Sequence, residues 1–134
     1  LAVNREEAVE ITGGDHKNLN ELFDKLHALG PKIVAISDGP DGAYASDGTK
    51  RLKMPIYPDP SPPYERTGAG DAFTSAFVAA LIHGSDIEGA LQWGPINSMS
   101  VVQHVGAQKG LLTERQLSKL LQNSPRWYRA EPLK

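Results

Sequence analysis

The chain has 134 residues, a formal net charge of −2 and a pI of about 6.1, which suits one domain with a real core and gives no electrostatic reason to expect nucleic acid or an anionic membrane as partner. It has no cysteine, so disulfides and thiolate metal sites are excluded, and a reducing, cytoplasmic setting is expected. No apolar run approaches the ~20 residues of a membrane span, and no signal-peptide pattern is present.

Leu1 to Val3 read as the end of a strand, followed by a short helix over Arg5 to Ile11 and a break at Gly13-Gly14. Asn18 and Glu21 have capping-box spacing, and Leu19, Leu22, Phe23, Leu26 and Leu29 recur at helical period until Gly30-Pro31 stops the helix. Ile33-Val34-Ala35-Ile36 is a short apolar run between breakers, the pattern of a strand buried on both faces. Ala43–Ser46 and Arg51–Met54 flank Asp47-Gly48, a pair suited to a tight hairpin turn. Prolines 55, 58, 60, 62 and 63 make the next stretch an extended, stiff connector.

The remaining segments read as three helices. The first runs from about Asp71 to Ile82 and ends before Gly84. The second starts at Ser85, spaced from Glu88 as a capping box, and continues toward His104, with Gly94-Pro95 expected to kink or interrupt it. The third begins at Thr113, capped with Gln116, and the polar tail from Pro125 offers Trp127 and Tyr128 as surface anchors. The four histidines, His16, His27, His83 and His104, have no short metal-ligand spacing. The order of strand, helix, strand, hairpin and helices predicts an α/β layered domain.

The most informative stretch is Glu65-Arg66-Thr67-Gly68-Ala69-Gly70-Asp71-Ala72-Phe73, which joins a glycine turn to a carboxylate at the start of an apolar helix. Gly68 and Gly70 let backbone amides approach a ligand closely, and amides at a helix N-terminus favour an anion. A carboxylate beside that anion site is unsuited to simple binding but suits a general base that takes a proton from an attacking hydroxyl. Ordinary helix-start chemistry is the competing reading. Asn4 and Glu7 similarly read as a capping box, and Ser37-Asp38-Gly39-Pro40-Asp41-Gly42 as a hairpin loop at the end of a buried strand, where α/β folds also place ligands. Asn97 reads as a helix-surface amide and Gly106 as a helix stop.

The string Thr67-Gly68-Ala69-Gly70-Asp71-Ala72-Phe73 resembles the second signature of the PfkB, or ribokinase-like, carbohydrate kinases, with Glu65 and Arg66 where that family more often has Asp and Thr. The resemblance implies a ribokinase-like layered fold, and specifically the C-terminal, nucleotide-binding and catalytic part of a larger α/β/α sandwich, as one domain over 1–134. The acceptor-binding part and lid would lie outside these residues. It implies ATP-dependent phosphoryl transfer to a hydroxyl of a sugar or nucleoside, with Asp71 as base and Gly68, Ala69 and Gly70 as anion hole. Asn4 and Glu7 would then match the family's N-x-x-E motif and help place Mg2+ through water. Ser37, Gly39 and Gly42 would line the nucleotide phosphates, and Asn97, Gly106 and Ala107 the adenine pocket, with a K+ site near Glu65 and the Gly106-Ala107 loop. A reading of another class stands beside this: a non-catalytic nucleotide-binding or self-associating module, whose exposed sheet edge invites a homodimer.

Overall fold

The computed structural model describes residues 1–62, 68–104 and 110–134. In chain order the elements are β1 (Ala2–Asn4), α1 (Arg5–Thr12), α2 (Leu19–Ala28), β2 (Val34–Ser37), a 3-10 turn (Gly39–Asp41), β3 (Ala43–Ser46), β4 (Arg51–Met54), α3 (Ala69–Ile82), α4 (Ile87–Val102), α5 (Glu114–Gln122) and β5 (Glu131–Pro132). The strands form one sheet in the order β1-β2-β3-β4-β5; β1 and β2 are parallel and the other pairs antiparallel.

Alternation along the strands sends side chains to two separate cores. Val34 and Ile36 of β2 face α1 and α2, where they meet Ala8, Leu22, Phe23 and Leu26. Ala35 of β2, Ala43 and Ala45 of β3, and Leu52 and Met54 of β4 face the other way, against Phe73, Phe77, Leu91, Ile96 and Leu117 of α3, α4 and α5. The sheet is therefore covered on both sides, and Val34, Ala35 and Ile36 are fully buried, as the continuous apolar run predicts. The small alanines on the second face leave room for the Phe73 and Phe77 rings, whose centroids are 5.8 Å apart. Among the described residues no helix is long and apolar enough to cross a membrane.

Local chemistry explains most boundaries. Asn4 accepts from the Glu7 N–H while Glu7 accepts from the Asn4 N–H, both at 2.8 Å, so α1 has the full capping box. Thr113 and Gln116 do the same for α5. At α2 only half the expected box forms. Asn18 accepts from the Glu21 N–H at 3.1 Å, but the Glu21 carboxylate pairs with Lys25 at 2.7 Å. In the hairpin turn, Asp47 Oδ1 accepts from the Lys50 and Thr49 N–H groups at 2.7 and 2.9 Å, and these bonds hold its carboxyl below the usual range.

Three expectations need correction. The cap of α4 is Asp86, which accepts from the Gly89 N–H at 3.0 Å, and not Ser85. Ser85 is already used by the end of α3, where its N–H donates to Ala80 O and the Gly84 N–H to Leu81 O, both at 3.0 Å, around Gly84 at φ 92. That is a Schellman termination, and it displaces the next helix start by one residue. Second, Gly94-Pro95 does not interrupt α4, which runs through both positions as one helix. Both positions are buried between α3 and the cleft described below, and that packing outweighs the ~3 kcal/mol that an internal proline costs.

The third correction concerns the tail. Tyr128 is a core residue, 4% exposed; its ring meets Tyr57 edge-on at 4.9 Å and its hydroxyl donates to Gln92 O at 2.7 Å. Burial, with the neighbouring Tyr57, pushes its phenol well up from the usual value. Trp127 alone stays exposed, and the residues beyond add β5 to the sheet, an element that Glu131-Pro132 gives no local reason to expect.

The close approach of α3 and α4 depends on Gly94, where a Cβ would fall 2.4 Å from the Phe73 ring. Replacing Gly94 with Ala should gain the ~1 kcal/mol of helix propensity that glycine forfeits and lose ~1–3 kcal/mol to overpacking. Net destabilisation in urea unfolding is expected, and a more stable variant would refute the account of this contact.

Candidate functional site

The site is built at the carboxyl ends of the parallel pair. Asn4 closes β1 directly opposite Ser37, which closes β2, so the start of α1 and the loop after β2 leave the same edge, the place where open α/β sheets hold ligands. An ion pair fastens the two. The Arg5 guanidinium donates to Asp38, and both side chains are largely buried, at 13% and 10% exposure. Arg5 also donates from Nε to His16 O at 2.8 Å and lies over the Tyr44 ring, 5.8 Å from its centroid. Burial opposes the charge on Arg5, but Asp38 outweighs it and the pKa is raised. The Tyr44 phenol is raised too, by burial first and then by the Asp38 charge.

The glycines of the loop after β2 divide by cause. Gly42, at φ 98, would bring a Cβ to 2.1 Å from Met54 O, so the β3–β4 pairing itself requires glycine there. Gly39, at φ 51, is required by backbone conformation alone, and the space around it is open.

A cleft lies between this loop and the helices. It is lined by Ser37, Gly39, Pro40, Gly42 and Ala43 from the sheet end, Ile56, Tyr57 and Asp59 from the proline-rich connector, Ala69, Gly70 and Phe73 from α3, and Pro95, Ser98, Met99 and Val102 from α4. Most of the wall is apolar, with a few polar groups converging on it, which is the usual make-up of a small-molecule site. The connector wall is fixed at both ends: the Tyr57 hydroxyl donates to Leu120 O at 2.9 Å, and Gln103 Nε2 donates to Ser61 O at 3.0 Å.

The start of α3 enters this cleft. Gly68 is its N-cap at φ 82 and supplies no side-chain cap, and the first helical hydrogen bond runs from the Ala72 N–H to Gly68 O at 2.9 Å. The amides of Ala69, Gly70 and Asp71 therefore precede the helical ladder. Gly70 differs from the other glycines here. Its φ is not positive, and a Cβ on it would meet nothing within 4 Å. No contact within the described residues requires glycine there, although it weakens the helix, and the residue lines the cleft. Asp71 follows on the exposed side of the first turn.

The structure thus brings Ser37, Gly39, Gly42, Ala69 and Gly70 into one cleft, with Gly68 and Asp71 flanking it in sequence. Asn4 and Glu7 lie at the same sheet edge but are exposed and outside the cleft wall, with their side chains in the capping box. Gly106 and Ala107, like Glu65, Arg66 and Thr67, lie outside the described residues. Asn97 corrects one expectation, since it is not a surface amide, and it does not line this cleft. It is 3% exposed, donates to Ala72 O at 2.8 Å and accepts from the Leu112 N–H at 3.0 Å; its neighbour Ser98 lines the cleft instead. Sequence reasoning missed the Arg5–Asp38 pair and Ser98. The pair spans 33 positions and had no local signal, while Ser98 adjoins a residue already singled out.

Among the described residues no cluster of three or more His, Asp or Glu could hold a metal. Asn4 and Glu7 offer oxygen donors with lone pairs left over after capping. That donor set fits a hydrated Mg2+ held through its own waters, and does not fit an all-protein cage.

The pfkB family carbohydrate kinase profile matches residues 1–114. The ribokinase of Bacillus subtilis is 35% identical over 119 residues, which cover 85% of this chain and 40% of the relative. The ATP-dependent 6-phosphofructokinase of Thermoanaerobacterium thermosaccharolyticum is also 35% identical, over 104 residues that cover 78% of this chain and 31% of the relative. Among solved structures, the ribokinase of Arabidopsis thaliana complexed with ribose and ATP superposes with a TM-score of 0.80 at 29% identity, covering 90% of this chain and 40% of that one. The chain thus spans 31–40% of the length of these relatives. With the sheet, both helix layers and the profile match in agreement, the chain belongs to the pfkB family of carbohydrate kinases.

Proposed function

We propose that these residues form the nucleotide-binding and catalytic part of an ATP-dependent kinase acting on a hydroxyl of a sugar or nucleoside. The observation that carries this reading is Gly70: among the described residues nothing occupies the space where a side chain would project, at a helix start that lines the cleft. The vacancy suits a phosphoryl group approaching the backbone. The amides of Gly68, Ala69 and Gly70 then hold the equatorial oxygens of the transferring group, with the helix dipole adding positive potential.

Asp71 is the general base. Its carboxylate takes the proton of the acceptor hydroxyl as the new O–P bond forms and the bond from the γ-phosphorus to the bridging oxygen of ADP breaks. Ser37, Gly39 and Gly42 border the nucleotide phosphates from the sheet side. Asn4 and Glu7 hold waters of the hydrated Mg2+, which supplies neutralisation of the phosphate charge when bound. The Arg5–Asp38 pair keeps this α1 start and the loop after β2 in register. The structure of the Arabidopsis relative holds ribose and ATP, which supports a sugar as acceptor.

A second reading is favoured by the sheet topology: β1 pairs only with β2 and leaves one edge unpaired among the described residues. Such an edge suits association with a second copy in a non-catalytic module. Light scattering at high concentration separates this: a dimer mass supports it, and a single species of monomer mass counts against it.

Two substitutions test the main reading. Gly70→Ala should leave the unfolding midpoint unchanged or raise it, because the Cβ meets nothing and helix propensity improves. Calorimetric affinity for Mg-ATP should fall on the order of 10-fold, ~1.4 kcal/mol. Undiminished affinity would remove the anion-hole assignment. Asp71→Asn should reduce ADP release on a sugar panel by ~10²–10⁴-fold while Mg-ATP still binds. Near-normal turnover would refute the base assignment, and binding without any turnover in the unmutated chain would favour the non-catalytic module.

A further inference from the structure

The start of α3 lacks a side-chain cap of its own, because Gly68 has nothing to offer. Two adjacent residues of α4 reach across to it. The Ser98 hydroxyl donates to Ala69 O at 2.7 Å, and the Asn97 amide donates to Ala72 O at 2.8 Å. Both acceptors belong to the first four residues of α3, the segment that presents Ala69, Gly70 and Asp71. Helical carbonyls have a second lone pair, so these bonds add to the helical ladder without competing with it.

The orientation of the Asn97 amide is fixed by its partners. Ala72 O can only accept and the Leu112 N–H can only donate, so the nitrogen must face α3 and the oxygen Leu112. At 3% exposure it is nearly sealed from water, and a buried amide with both ends engaged holds its neighbours to a narrow geometry. Asn97 is therefore a junction of three segments: the start of α3, the middle of α4, and the stretch leading into α5. Gly94, one turn earlier, allows the helix approach that brings it within reach.

We propose that Asn97, assisted by Ser98, is a positioning residue for phosphoryl transfer, holding the Gly68–Asp71 turn at the distance from the cleft that the transferring group requires. This rests on the kinase reading above. Asn97 acts through the α3 backbone, by its bond to Ala72 O.

The test uses the whole chain with Asn97→Asp, which keeps an acceptor for Leu112 and loses the donor to Ala72, and with Ser98→Ala, which removes the other strut and leaves the buried junction intact. The probes are Mg-ADP alone and Mg-ADP with aluminium fluoride, which imitates the transferring phosphoryl. Affinity for Mg-ADP should stay within about 2-fold of the unmutated chain, while the gain on adding aluminium fluoride should shrink by ~10-fold or more in Asn97→Asp and by less in Ser98→Ala. Hydrogen exchange at the Ala72 and Phe73 amides should quicken by ~10-fold in Asn97→Asp, with the β3 amides unchanged. Retention of the full aluminium fluoride gain in both variants overturns the proposal, as does a proportional loss for the two probes, which is what a merely structural role would give. If the unmutated chain shows no gain from aluminium fluoride, the kinase reading fails; unchanged exchange at Ala72 and Phe73 would separately refute the strut.

Discussion

The packing of α3 against α4 is the contact on which the rest of the site depends. It requires an absent side chain at Gly94, where the Phe73 ring takes the space of a Cβ, and it places Phe73 both in the core and in the cleft wall. Bringing two helices close also brings their polar groups close. Asn97 and Ser98 meet α3 carbonyls because the backbones already approach. A bulkier residue at 94 would move the start of α3 away from the loop after β2, and the cleft would lose one of its walls.

The opposite wall has a different origin. Parallel pairing of β1 with β2 sets Asn4 against Ser37, so two chain segments distant in sequence leave the sheet side by side. The largely buried Arg5–Asp38 pair joins the segments that follow these two ends. Such a pair gains little net stability once desolvation is counted, but it fixes direction, since a buried guanidinium must stay where its partners are. Arg5 meets Asp38, His16 O and the Tyr44 ring together, which leaves it little freedom.

The glycines illustrate how structure separates causes that sequence merges. Gly42 is required by Met54 O, Gly94 by Phe73, and Gly68 by its left-handed conformation. Gly70 has none of these reasons. It is a glycine that the described fold does not need, in a helix that it weakens, at a cleft wall, and that is why the proposed function rests on it.

Much of the architecture was legible locally. The caps at Asn4 and Thr113, the hairpin around Asp47-Gly48 and the buried run of β2 follow from short-range chemistry, and the structure has each where the residues imply. Most of the misreadings share one cause, which is competition for a group from another residue. Ser85 was taken by the end of α3, Glu21 by Lys25, Asn97 by Ala72 and Leu112, and Tyr128 by the core. The glycine turn with its carboxylate likewise pointed to the family that the profile match shows, because the resemblance rests on contiguous residues of fixed type. Sequence by itself therefore determined the caps, the hairpin and the order of the elements up to the tail, all of which act over a few neighbouring residues. Only the tertiary structure decided which of those residues share a cleft, which pair fastens its two sides and which amide is held inside, because each of these depends on groups brought together across the fold.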